Sequence, residues 1–201
     1  MNACSALAVY VVTLLVLFAI ARRESQLVRL VRPMVIGPMA CGFGIVALSA
    51  LQNADVSLGT ASALACLVVC AASDLATGLV FDAVTATAAC GIALEKLLQH
   101  EAAAATLGAA ACGAAVLVLY AITRGRGIGL GDVKLAGISG AGIGGLESLG
   151  AIGAAFVTGA LCCLPLVVAR RIRRGDRVAF APYMAVGTIA VVAMRLVNGH
   201  G

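Results

Sequence analysis

Long apolar runs separated by short polar turns repeat along the whole chain. Residues 6–21 form the first run, which ends at Arg22 and Arg23. Pro33 opens the second, to about residue 51, in keeping with the proline preference for a first helical turn. The third covers about 58–72 and breaks at S-D-L-A-T-G, residues 73–78. The fourth runs from about 83 to 98, and the fifth is an alanine-rich stretch ending at Thr123. A glycine-rich loop follows, and then a sixth, short run at 133–145 rich in small residues. The seventh reaches residue 169, and the eighth covers about 178–197. A helix needs about 20 apolar residues to cross a bilayer, so the pattern predicts an all-α, polytopic membrane protein with about eight transmembrane helices.

Composition strengthens that expectation. The 201 residues are 62% hydrophobic and 11% charged, where soluble domains carry about 25% charged residues. A soluble fold of this composition would lack the polar groups to cover its surface. No Lys or Arg precedes the first run, so it lacks the basic start of a signal peptide and is expected to stay as a span. The eight cysteines lie mostly inside apolar runs and form no C-x-x-C pair; they read as small hydrophobes, with no metal site or disulfide framework expected.

Charge then orients the chain. The net charge of +5 comes without a basic domain or aromatic interleaving, which excludes nucleic acid as a natural partner. Basic residues gather in cytoplasmic loops of membrane proteins. With both termini outside, the cytoplasmic loops hold Arg22, Arg23, Arg29, Arg32, Arg124, Arg126, Lys134, Arg170, Arg171, Arg173, Arg174 and Arg177. Only Lys96 and Arg195 fall outside, twelve of 14 against two. In this topology Asp74 and Asp132 both reach the cytoplasmic membrane face.

The loop before the sixth run reads R-G-R-G-I-G-L-G-D-V-K, residues 124–134. An acid at the edge of an apolar segment is costly and so points to function, although a helix-capping Asp in a flexible loop has the same pattern. Neither G-x-G-x-x-G nor G-x-x-x-x-G-K-[ST] can be laid on these glycines, which argues against phosphate binding. Two carboxylates in one site do not both ionise readily; one keeps a proton while the other can take one from water. That is the chemistry of an aspartic peptidase, which needs no cofactor.

Three segments carry a more specific likeness. G-L-G-D-V-K-L, residues 129–135, resembles the G-x-G-D motif of type IV prepilin peptidases. S-D-L-A-T-G-L-V-F-D, residues 73–82, resembles that family's first aspartate motif, with Phe81 and Asp82 where Pro-Asn would stand. F-A-P-Y-M-A, residues 180–185, resembles its F-G-P segment, with Ala181 in place of Gly. The resemblance implies one membrane-embedded peptidase domain over 1–201. Its motifs lie in 58–197, and two extra helices and a basic loop occupy 1–57.

The resemblance further implies an inner-membrane leader peptidase. It would cut the basic leader from a pilin-like precursor at the cytoplasmic face, with Asp74 and Asp132 as the catalytic pair. Gly129 and Gly131 would keep the loop open to an extended substrate. Lys134 would either bias the charge of Asp132 or anchor the membrane face. The missing proline leaves Asp82 as a rival to Asp74, although Asp82 also suits the N-cap of the fourth span. Long members of the family carry two C-x-x-C pairs linked to N-methylation; this chain has none, which implies peptidase activity alone.

Other readings fit less well. G-I-S-G at 137–140 matches the serine motif of rhomboid proteases, but His100 and His200 lie at the other membrane face. Presenilin-type proteases share G-x-G-D but add Y-D and P-A-L segments that are absent here. The alternative from another class is a small transporter or assembly subunit using its membrane acids as proton or ion sites. No inverted repeat or chain of acids through the bilayer supports it. The oligomeric state stays open, because Gly140 and Gly144 could serve packing within the chain or between chains.

Overall fold

A computed structural model describes residues 56–168 and 178–198. The first two predicted spans and the basic loop at 170–177 lie outside the described residues. Those that are described fold into α1 (Leu58–Thr77), α2 (Asp82–Leu98), α3 (Ala102–Thr123), α4 (Leu130–Ile143), a 3-10 turn (Leu146–Ser148), α5 (Leu149–Val168) and α6 (Ala181–Asn198). Among the described residues there is no strand. The helices α1 to α6 follow the third to eighth apolar runs in order. Three segments, Leu58–Leu75, Ala102–Thr123 and Leu146–Leu164, are long and apolar enough to cross a membrane, and Ala181–Arg195 is a shorter apolar helix.

Helix α1 is the centre of the bundle. It packs against α2, α4 and α6, and half of its apolar window is buried inside the protein. Outward faces are apolar as well: Leu98, Ile122 and Val168 are 72%, 72% and 75% exposed. Such surfaces suit lipid rather than water.

In lipid, apolar surface gains little by leaving its surroundings, so helices associate through close contact and internal hydrogen bonds. Glycines supply the contact. A side chain at Gly108 of α3 would run into the carbonyl of Gly140 on α4, and one at Gly140 into the carbonyl of Gly108. Gly140 thus packs within the chain. A side chain at Gly187 of α6 would likewise meet the Ala151 carbonyl of α5. Hydroxyls supply the hydrogen bonds. Thr60 Oγ1 donates to the Gly142 carbonyl at 2.7 Å, joining α1 to α4. The Ser139 and Thr188 hydroxyls share a 2.8 Å bond inside the bundle, joining α4 to α6. Ser139 is fully buried and spent on packing, unlike a serine nucleophile.

The two basic residues that broke the charge asymmetry are both paired. Lys96 meets Glu101 at 2.7 Å. Arg195 meets Glu147 at 2.8 Å and also donates to the Ile143 carbonyl at the end of α4.

Gly140→Val should force α3 and α4 apart and destabilise the protein by ~1–3 kcal/mol or more. Ser139→Ala should cost only about 1 kcal/mol, since Thr188 keeps its bond to the Met184 carbonyl. Thermal unfolding in detergent compares the two.

Candidate active site

Helix α1 ends because Gly78 adopts a left-handed conformation, φ 68°, and its N–H closes on the Asp74 carbonyl at 2.8 Å. Such a glycine cap stops a helix within one turn. Asp74 is thereby left in the last turn of α1. Ser73 ties the connection back, its hydroxyl lying 2.9 Å from both the Cys70 and Leu79 carbonyls.

Helix α4 starts at the same end of the bundle. Gly129 is its N-cap, in an extended conformation. Asp132, the third helical residue, turns its carboxylate back to accept the Gly129 N–H at 2.8 Å. This is the acidic half of a capping box, so the capping role foreseen for a loop aspartate belongs to Asp132 itself. The loop is also pinned from outside. A Cβ on Gly131 would stand 2.9 Å from the Val80 Cβ and 3.0 Å from its Cγ2. The missing side chain of Gly131 therefore makes room for Val80, which leads from α1 to α2, and not for open space. At Gly127 a side chain would meet nothing within 4 Å, so the open part of the loop lies there.

The third segment arrives from α6. The Ala181 N–H donates to Asp74 Oδ2 at 3.2 Å, and the Phe180 amide also faces that carboxylate. Pro182 stands in the first turn of α6, where a missing N–H breaks no helical bond. The sequence marked this proline but gave no sign that the amide before it would hold Asp74.

Asp132 precedes the apolar part of α4. Burial pushes its carboxyl above the usual range, the Gly129 N–H pulls it down, and the charge of Asp74 pushes it up again. Helices α1 and α4 thus bring the two carboxylates to the same end of the bundle, within reach of each other's charge.

Asp82 differs from expectation, and Lys134 has a partner that the sequence did not indicate. Asp82 is not the N-cap of α2; Phe81 holds that place, extended at φ −81° and ψ 122°, and Asp82 is the first helical residue. There its charge suits the positive end of the helix dipole. Lys134 turns to Asp82, Nζ to Oδ1 2.6 Å, and not to Asp132. Residues two apart on a helix point to nearly opposite sides, so Asp132 and Lys134 lie on different faces of α4.

The fold defines a bundle of apolar helices, and α1 and α4 bring the carboxylates of Asp74 and Asp132 to the same end of it. The model of the type IV leader peptidase family matches residues 61–164, just over half of the 201-residue chain, and the chain belongs to that family. The matched region contains both Asp74 and Asp132. No curated protein matches the chain, and no solved structure does.

Gly131→Ala should push stiff Val80 away, at a cost of ~1–3 kcal/mol, and Val80→Ala in the same chain should restore stability and activity. Asp132→Asn should give a more stable protein at neutral pH. The raised carboxyl favours the protonated form when folded, so wild-type stability is fully present below the ordinary Asp pKa of about 3.9 and is lost as pH rises through the raised value. The advantage of the variant in thermal unfolding should grow with pH and vanish in acid.

Proposed function

We propose that the protein is an aspartic endopeptidase of the inner membrane that removes the basic leader from pilin-like precursors. Asp74 and Asp132 would act as its acid–base pair. What supports this reading is that α1 and α4 bring both aspartates to one end of the bundle, each with one carboxylate oxygen on a backbone N–H: Ala181 for Asp74 and Gly129 for Asp132. Family membership supports the reaction class.

In the proposed reaction the ionised carboxylate takes a proton from water as the water oxygen attacks the peptide carbonyl. The protonated carboxyl gives its proton to the carbonyl oxygen. The resulting gem-diol collapses, the C–N bond breaks, and the amine leaves with a proton returned through the pair. The backbone N–H groups hold the two carboxyls in place while their protons move. Gly129 offers no side chain to an approaching substrate, which fits the substrate contact proposed for it. Gly131 acts one step removed, by seating Val80, and Lys134 acts through Asp82.

Eight spans with both termini outside complete the proposed topology and would put the pair at the cytoplasmic face, where leader and apolar helix meet. No observation favours the transporter reading over this one.

In membranes supplied with a pilin-like precursor, the wild type should release the leader. Asp74→Asn and Asp132→Asn should each slow cleavage by about 100-fold or more, while Asp82→Asn should continue to cut. Cleavage lost with Asp82→Asn and kept with Asp74→Asn would move the first carboxylate to Asp82. Equal behaviour of all four would remove the aspartates from the reaction.

A further inference from the structure

The face of α4 that carries Lys134, Gly137 and Ala141 does not touch the paired aspartates. It forms the floor of a groove of about 770 Å³ whose walls are α2 and α3. The groove exists because its walls have different partners. Helix α2 packs on α1 and α3 packs on α4 through Gly108 and Gly140, while α2 and α3 touch little beyond the turn that joins them. Ala89 and Ala93 of α2 and Ala109 of α3 line it, and both α2 alanines are exposed.

Three features select an occupant. The first is length. From Asp82 to Leu97 the wall follows α2 for about 22 Å at 1.5 Å per residue, much of a hydrocarbon core of ~30 Å. The second is shape. Alanine and glycine linings allow the close backbone approach that helix pairs need in lipid, which a fluid acyl chain does not require. The third is position. The Lys134–Asp82 ion pair, 2.6 Å, stands at the near mouth, beside the start of α4 that carries Asp132, while Lys96, paired with Glu101, marks the far end. The groove therefore suits an apolar helix whose preceding segment lies next to the aspartates.

We propose that this groove seats the apolar helix of the pilin-like precursor, and that the segment before the helix passes Asp82 and the glycine loop to reach Asp74 and Asp132. The proposal rests on the peptidase reading of those two residues. Lys134 and Asp132 lie on different faces of α4, so the substrate backbone crosses over the end of that helix. A helix about 10 Å across takes roughly three extended residues at ~3.3 Å each. The open space at Gly127 lies on the way. The scissile bond is accordingly about three residues before the part of the helix that the groove holds.

The test uses the full chain in membranes. Ala93→Leu with Ala109→Leu fills the groove, and Leu107→Phe on the exposed outer side of α3 is the control. Filling the groove should raise KM for the whole precursor about tenfold with kcat little changed, the mark of lost ground-state binding. It should not alter cleavage of a short peptide that ends soon after the scissile bond. A photoreactive p-benzoylphenylalanine in place of Ala93 should crosslink to the apolar helix of the precursor. If the wild type cuts, the filled variant has an unchanged KM and crosslinks reach only lipid or a second copy of this chain, the groove proposal is overturned and the peptidase reading stands. If the wild type does not cut but the crosslink to the precursor forms, the groove stands and the peptidase reading falls. Without cleavage and without crosslink, both fall.

Discussion

The carboxylate of Asp74 sits on the first N–H of α6 and so joins residues 107 apart in sequence. The rest of the bundle depends on that contact being reached. The glycine cap at Gly78 must stop α1 within a turn of Asp74, and the Ser73 hydroxyl must fold the connection back. Val80 can then settle where Gly131 has no side chain, which brings the start of α4 to the same end as the start of α6. Each carboxylate is held by the backbone N–H of a helix start, where donors lack helical partners. The positive end of the dipole favours negative charge there. The same arrangement half-buries Asp132 next to another acid, which burial and like charge both resist. Stability is given up at the point where the proposed chemistry needs a carboxyl that can hold or release a proton.

Helix α4 separates two tasks by its faces. Asp132, Leu135, Ala136 and Ser139 face the bundle, and the last three are fully buried. Lys134, Gly137 and Ala141 face the groove. A short helix rich in small residues can serve both sides because its neighbours approach its backbone, as α3 does at Gly140. The low charge of the chain belongs to the same economy. The ion pairs Lys96–Glu101, Lys134–Asp82 and Arg195–Glu147 all lie at helix ends, where charge is least costly near a bilayer.

Much of this was legible in the residues. Apolar runs and polar breaks mark α1 to α6 within a few positions, because membrane spans must satisfy their own backbone groups and so leave long, plain signals. The G-L-G-D and S-D-L-A-T-G segments pointed to Asp132 and Asp74 for the same reason: an acid at a span edge needs a cause. Partnerships across helices were not legible. Lys134 follows Asp132 closely in sequence yet serves Asp82, since helical geometry and not sequence distance decides which groups meet. Gly131 read as open space, but its missing side chain is matched by Val80, and no local pattern announces such a fit. The amide of Ala181 carries no side-chain signature at all.

The central claim is that Asp74 and Asp132 face each other in one site at the end of the bundle. Cysteines placed at these two positions, in a chain whose eight native cysteines are replaced, test it directly. In intact membranes the shortest bifunctional thiol reagents should link position 74 to position 132 within one chain, and cysteines at 74 and 99, at opposite ends of the bundle, should stay unlinked under the same conditions. If positions 74 and 132 stay unlinked while both cysteines remain reactive to a single-headed reagent, the two aspartates do not share a site and the account is contradicted.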